Sequence, residues 1–459
     1  MRSRLRLQRR LPPPLPWSRP RHELALLVLV AIAALTPVYV NGAQDTSRIC
    51  LTRALVHFRL SADSCLAPSF AVDKSTFAGH LYSDKAPGMS LIELPAVLAT
   101  GDAAVEPRPV ESLRVWFARV CSSGLAFLLC AFLVGRLAEG LAPGFGGVSL
   151  VAFALGTLIA PLAAANFEHG TAGALGLTAF LLAWRRRSGP AGLAAGAAVV
   201  VGYEAALIAV ILAGYVALQG GRALAGYLLG VLPGAALLGL YDALAFGAPW
   251  HFSYRYIVGA NAANQSSGFF GIHLPYLHAV REVFAGSGGL LVTSPIVLAA
   301  AAGLVLLGRR FGPEAIVCAA IVLAYLLLDC GYFLPYGGIS PGPRFVIPCL
   351  PFLALGLGPA FAFRFRTTAL LAAISIVATT ALTLTWVSLS PDPGTIWSQL
   401  VHLPVDPSQI VDKLSSNVVV RLGVGRTVGA VLVGLGAAAA MVVALVAAAR
   451  RVGDRASVA

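Results

Sequence analysis

The chain is 459 residues long, 58% hydrophobic and only 12% charged. Soluble domains carry about 25% charged residues, so this chain cannot cover itself with polar surface in water and reads as a polytopic membrane protein. Its formal net charge of +13 does not point to nucleic acid, because the basic residues sit in short loops where the positive-inside bias and anionic headgroups account for them. Only Lys74, Lys85 and Lys413 among the 33 basic residues are lysines, an Ala-, Gly- and Arg-rich bias that suggests a GC-rich bacterial genome.

Crossing ~30 Å of hydrocarbon takes about 20 apolar residues. Runs of that kind lie at about 23–41, 112–135, 147–165, 170–184, 222–246, 288–308, 313–333, 345–363, 367–389 and 426–449. The tail 1–22 holds Arg2, Arg4, Arg6, Arg9, Arg10, Arg19 and Arg21, which places it on the cytoplasmic side. The first run reads as an uncleaved helix, since it is long for a signal peptide and Asn41-Gly42-Ala43 is a poor cleavage site. The clusters Arg185-Arg186-Arg187, Arg309-Arg310, Arg364 with Arg366, and Arg450-Arg451 are read as inside too. Those anchors share one side only if 189–221 enters and returns, as a short helical hairpin with Gly202-Tyr203-Glu204 at an outward tip. The expected fold is therefore an all-α bundle of about 12 spans with both termini cytoplasmic. A core at 23–363 is followed by C-terminal helices at 364–449 and a short tail at 450–459.

Four segments then face outward, 42–111, 247–287, 334–344 and 390–425, and the polar residues a reaction needs are concentrated there. Asp45 stands at the mouth of the first span, followed by a loop helix. Further on, Ser83-Asp84-Lys85-Ala86-Pro87-Gly88 leads into an apolar stretch from Met89 to Leu98. On spacing alone this is a solvated loop with a turn at Pro87-Gly88. Asn166-Phe167-Glu168-His169 marks the outer end of the third span, where ionisable groups are functional candidates and a wet helical corner is the plainer alternative. Glu204, beside Tyr203 in an apolar segment, needs a partner or a raised pKa, because burying an unpaired carboxylate costs several kcal/mol. The run Tyr336-Gly337-Gly338-Ile339-Ser340-Pro341-Gly342-Pro343-Arg344-Phe345 shapes a tight turn before a helix. Its arginine is either a phosphate ligand beside helix N-terminal amides or a snorkelling cation. Cys50 and Cys65 share the first outer loop, where a bridge would close about 15 residues; spacing does not show whether they meet. Cys121, Cys130, Cys318, Cys330 and Cys349 read as small apolar residues of the spans.

Six stretches, SRICLTRALVHFRLSADS, GHLYSDKAPGMSLIELPA, FEHGTAGALGLTAFLLAW, YDALAFGAPWHFSY, GLLVTSPIVLAAAAG and GGISPGPRFVIPCLPFLALG, resemble bacterial membrane glycosyltransferases of the GT-C superfamily, near the protein O-mannosyltransferase and aminoarabinose-transferase branch. The resemblance covers roughly residues 24–363. It implies a transferase that takes sugar from a polyprenyl-phosphate donor and passes it to a glycan, lipid or protein acceptor on the outer face of the bacterial inner membrane. The acidic residue of the first outer loop, here Asp45, is the implied general base. Lys85 matches a lysine near the donor phosphate, although Ala86-Pro87 replaces the usual Pro-Pro. Arg344 and His169 are further phosphate contacts, with Asp84, Glu168, Tyr203 and Glu204 in support. One base and one displacement imply inversion at the anomeric carbon. No cofactor is expected: Asp45, Asp84 and Glu168 could converge on a divalent metal, but no ligand-spaced motif favours one. Asp63, in the same loop but outside the motif, is expected to be dispensable. The competing readings are a transporter or lipid flippase, which twelve spans and a broken helix pair would suit, and a catalytically dead scaffold. Against transport, the second half does not repeat the first, and polar residues gather at one face rather than at mid-bilayer.

Overall fold

The computed structural model describes residues 20–67, 73–101, 112–259, 262–385 and 414–456. The basic residues ahead of Pro20 and positions 390–413 of the last expected outer loop lie outside the described residues. Among those described, six helices are long and apolar enough to cross a membrane: Leu113–Leu141, Gly221–Phe246, Gly312–Gly331, Arg344–Phe363, Phe365–Thr385 and Arg426–Val452. A seventh span results if Leu277–Thr293 and Ile296–Gly308, bent by 87°, are one crossing. His22–Leu35, Gly146–Gly156, Ser188–Val201 and Tyr203–Ala217 are shorter apolar helices at places where crossings are expected.

Two expected spans are broken, for chemical reasons. The run at 288–308 is split into the single turn Leu290–Thr293 and the helix Ile296–Gly308, because Pro295 brings no N–H and the glycines at 286, 288 and 289 free the backbone before them. The run at 147–165 stops at Gly156, where Thr157 is extended, and resumes as the single turn Ile159–Leu162. Irregular backbone survives at such depth only where protein satisfies it. Here the helix Phe365–Thr385 does so with its hydroxyls: Ser375 Oγ accepts the Ile296 N–H at 2.9 Å, and Thr379 Oγ1 donates to the carbonyl of Leu155.

The segment 189–221 runs out and back. Gln219 Nε2 donates to the carbonyl of Ala183 at 3.0 Å, so the return ends beside the start. Its outgoing helix, Ser188–Val201, packs backbone to backbone on Gly221–Phe246. Gly192 and Gly196 face the carbonyls of Tyr227 and Val231, and Gly230 faces that of Gly189. A Cβ at any of these would collide with main chain, so small residues set the closeness of the pair.

The first outer loop is less purely helical than expected. The helix Ala43–Val56 is followed by a short helix Asp63–Leu66. An antiparallel hairpin pairs Lys74–Phe77 with His80–Ser83, and the helix Gly88–Thr100 completes the loop. A second two-stranded ribbon joins Pro37–Val38 to Ser416–Asn417, tying the end of the first helix to the start of the last. Cys50 and Cys65 are bonded as a disulfide, which staples the short helix to the long one. The other five cysteines are free.

Candidate active site at one end of the bundle

The first expected outer loop, the Phe167-Glu168 corner and the turn before Arg344 meet around one cavity of about 530 Å³. Asp45, Asp73, Asp84, Lys85, Glu168 and Arg344 all contribute to its wall, with Tyr254, Gln265, Tyr332 and Phe345 among the neutral lining. The structure thus brings together five of the residues singled out from sequence.

Asp45 is the third residue of the helix Ala43–Val56, where a carboxylate reaches back to the start of its own helix. Its Oδ2 accepts the N–H of Gly42 at 2.9 Å. Oδ1 accepts the N–H of Asn166 at 3.0 Å and faces Arg119 Nε at 2.9 Å. At 3% exposure this is no solvated loop carboxylate, as the sequence alone suggested; a fully buried arginine requires it as counter-ion. One turn further along the helix, Arg48 donates to Gln44 Oε1 at 2.9 Å, to the carbonyl of Asn166 at 2.8 Å, and to Glu168 Oε2. The Asn166 peptide groups are therefore held from both sides, N–H by Asp45 and C=O by Arg48. Glu168 is the partner of Arg48, which leaves it poorly placed to act as a base.

Asp84 and Lys85 follow directly from the hairpin strand His80–Ser83. Lys85 Nζ donates to Asp84 Oδ2 at 2.9 Å, lies 3.6 Å from Asp73 Oδ2, and sits 5.9 Å above the Tyr254 ring. Burial works against this ammonium, but Asp73 and Asp84 outweigh it and hold its pKa above the usual value. Burial pushes the Asp84 carboxyl up to about 6 against the pull of Lys85. Asp84 also accepts from Ser47 Oγ at 3.3 Å. Lys85, expected as a cation open to phosphate, is already matched by two carboxylates.

Arg344 is different. It is 8% exposed, lies over the rings of Phe167 at 5.3 Å and Phe345 at 5.5 Å, and has no hydrogen bond or ion pair among the described residues. Gly337, with φ +72°, packs where a Cβ would meet Arg344 Nε, so the glycine both makes the turn and admits the side chain. The expected helix N-terminus beside it is instead a 3₁₀ segment, Arg344–Cys349, so the guanidinium rather than aligned amides is the available positive group.

The remaining candidates lie behind the wall. His169 is off the cavity: its ring is wedged between those of Phe167 and Phe345, at 6.1 and 5.3 Å, and its Nδ1 is 3.5 Å from Glu168. Packing of the aromatic rings thus separates it from the cavity. Tyr203 Oη is 3.2 Å from Ser253 Oγ, and that hydroxyl donates to the carbonyl of Asp84, so Tyr203 supports the loop at one remove. Glu204 closes a group with Glu168 and His169 whose ligand atoms lie within 4.8 Å of one another, close enough to hold a cation, although Arg48 already engages Glu168.

Arg48, Arg119, Asp73 and Asn166 went unassigned in the sequence. Arg119 carried a usable signal, an arginine inside an apolar run read as a span. Arg48 carried a weaker one, sharing a helix face with Gln44 and Asp45. Asn166 opens the run that ends at His169 but had no role of its own, and Asp73 carried no signal, since only the tertiary fold places it.

No family model matches the chain, and no curated protein matches it by sequence. Among solved structures it is similar to ArnT from Cupriavidus metallidurans bound to undecaprenyl phosphate. The two share a TM-score of 0.52 and 15% identity over 95% of this chain and 78% of that one. Apo ArnT from the same organism gives 0.51 and 15% over 93% and 76%. AglB, an oligosaccharyltransferase from Archaeoglobus fulgidus, gives 0.46 and 14% over 84% and 58%, and nothing below rests on it. The chain therefore has an ArnT-like fold.

Proposed function

We propose that this protein is an integral-membrane glycosyltransferase of the bacterial inner membrane. It moves a sugar from a polyprenyl-phosphate carrier to a cell-envelope acceptor on the outer face. One observation carries the reading: a carboxylate and an unpaired guanidinium, Asp45 and Arg344, line the same buried cavity. The ArnT-like fold supports it, since one ArnT structure holds undecaprenyl phosphate. The exposed arginines at the opposite end support twelve spans with both termini inside, and a disulfide in the site-bearing loop suits an oxidising outer compartment.

In this reading the acceptor hydroxyl attacks the anomeric carbon as Asp45 takes its proton. The bond from that carbon to the phosphate oxygen breaks, and the electron pair leaves with polyprenyl phosphate. Arg344 stabilises the charge that develops there, over aromatic faces and away from bulk water. A single displacement inverts the anomeric centre. The leaving phosphate needs no acid, and no metal is assigned a step.

The test is the mass of the lipid-linked sugar that accumulates in a deletion strain, followed by complementation with Asp45→Asn. Transfer is expected to fall about 10²–10⁴-fold at parental protein level. Parental transfer by this variant would remove Asp45 as base, and Asp84, ionising near neutrality, becomes the group to replace next.

A further inference from the structure

We propose that Arg119 is the positioning residue of this site: it fixes the Asp45 carboxylate so that Oδ2 receives the acceptor's proton. The inference rests on the reading of Asp45 as base. Arg119 ends the helix Leu113–Arg119, directly before the π-helical turn Val120–Gly124, and is wholly buried. Single π-turns inside helices recur at functional sites because they redirect a side chain without ending the helix. Both terminal nitrogens of Arg119 are anchored in the stretch that links the first span to the loop. Nη1 donates to the carbonyl of Tyr39 at 2.8 Å, and Nη2 donates to Asn41 Oδ1 at 2.9 Å. A planar guanidinium held at two corners cannot turn, so its Nε edge is kept 2.9 Å from Asp45 Oδ1, a close ion pair rather than an aligned hydrogen bond.

The carboxylate is then asymmetric. Each of its oxygens offers two lone-pair directions. Oδ1 accepts the Asn166 N–H and has the Arg119 guanidinium packed against it as an ion pair. Oδ2 has only the Gly42 N–H, which leaves one direction open on a residue of the cavity wall. A carboxylate free to rotate would present either oxygen in many poses. Arg119 removes that freedom, and orientation of this kind is worth large factors in rate when the reacting atoms must meet within an ångström.

The experiment compares Arg119→Gln, Asp45→Asn and the double variant, each purified at matched folded amount. Donor is the lipid-linked sugar extracted from the deletion strain, and undecaprenyl phosphate is the binding probe. Arg119→Gln is expected to lower kcat about 10²-fold while KM for donor and affinity for undecaprenyl phosphate stay within about twofold. The double variant is expected to be no slower than Asp45→Asn alone, because residues that act as a unit are not additive. Parental kcat in Arg119→Gln, or a double variant slowed by the product of the two single effects, would overturn the proposal and leave the base reading standing. Parental turnover in Asp45→Asn would overturn both. Should Arg119→Gln fail to fold, Asn41→Ala decides the point, since it keeps the charge and removes one anchor. A loss of about tenfold in kcat at unchanged KM supports the proposal, and no loss overturns it.

Discussion

The two ends of the bundle treat arginine in opposite ways. At one end Arg185, Arg186, Arg187, Arg309, Arg310, Arg364, Arg366, Arg450 and Arg451 are exposed, where water and headgroups solvate them and their positions make few demands on neighbours. At the other end Arg48, Arg119 and Arg344 are buried. Two of these guanidiniums are matched, so that Arg48 fixes Glu168 and Arg119 fixes Asp45. Burial alone does not make a site. Arg136 is buried too, paired with Glu23 at 2.8 Å, and that pair is not part of the cavity that Asp45 and Arg344 line. What distinguishes the end that bears the cavity is the remainder left after pairing, an unmatched Arg344 and an open direction on Asp45, both at one cavity wall.

The comparison is broken most directly at Arg48. Arg48→Ala leaves Glu168 buried without its partner and is expected to cost roughly 3–5 kcal/mol of stability, read as thermal unfolding in detergent. Arg185→Ala, at the exposed end, is expected to stay within about 0.5 kcal/mol. Similar shifts in the two would erase the distinction. Next in size is the staple of the site-bearing loop. Cys50→Ser with Cys65→Ser opens a 15-residue loop and is expected to cost about 3 kcal/mol, seen as faster amide exchange over Ala43–Val56. Exchange unchanged from the parent would mean that the buried ion pairs hold this helix by themselves.

Arg344 sharpens the contrast without unfolding anything. Arg344→Ala is expected to lose about 1.5–3 kcal/mol of donor phosphate binding, tenfold or more in donor KM, whereas Arg364→Ala at the far end of the same span is expected to change little. Equal effects would reduce Arg344 to a membrane anchor. The smallest effect belongs to Asp63, expected from sequence to be dispensable. It accepts the Leu81 N–H at 2.6 Å and pairs with His80 Nδ1 at 2.9 Å. Slight burial works to raise its pKa, but the Leu81 amide and His80 outweigh it and hold the carboxyl below its usual 3.8. A depressed carboxyl contributes stability above its unfolded value and loses it as pH falls through the folded one. Asp63→Asn is therefore expected to loosen the hairpin slightly at pH 7, with the difference shrinking as pH drops under 3.8 and gone once pH has fallen through the lower folded value. A difference constant across that range would assign the effect to shape rather than charge.

The sequence by itself determined the membrane class, because 12% charge over 459 residues cannot be solvated. It also located most of the apolar segments and the return at Gly202, since the arginines fix which ends share a side. The convergence of Asp45, Asp84, Lys85 and Arg344 was legible only through resemblance, as they lie on separate outer segments and nothing in their spacing joins them. Tertiary structure alone decided which charges remain available. Lys85 reads as a free cation until Asp73 folds against it, and His169 as a phosphate contact until Phe345 packs across it. Asp45 reads as a solvated loop residue until Arg119 comes within 2.9 Å. Pairing inside a low-dielectric layer depends on distances of a few ångströms between residues far apart in the chain, and only the packed fold sets those distances.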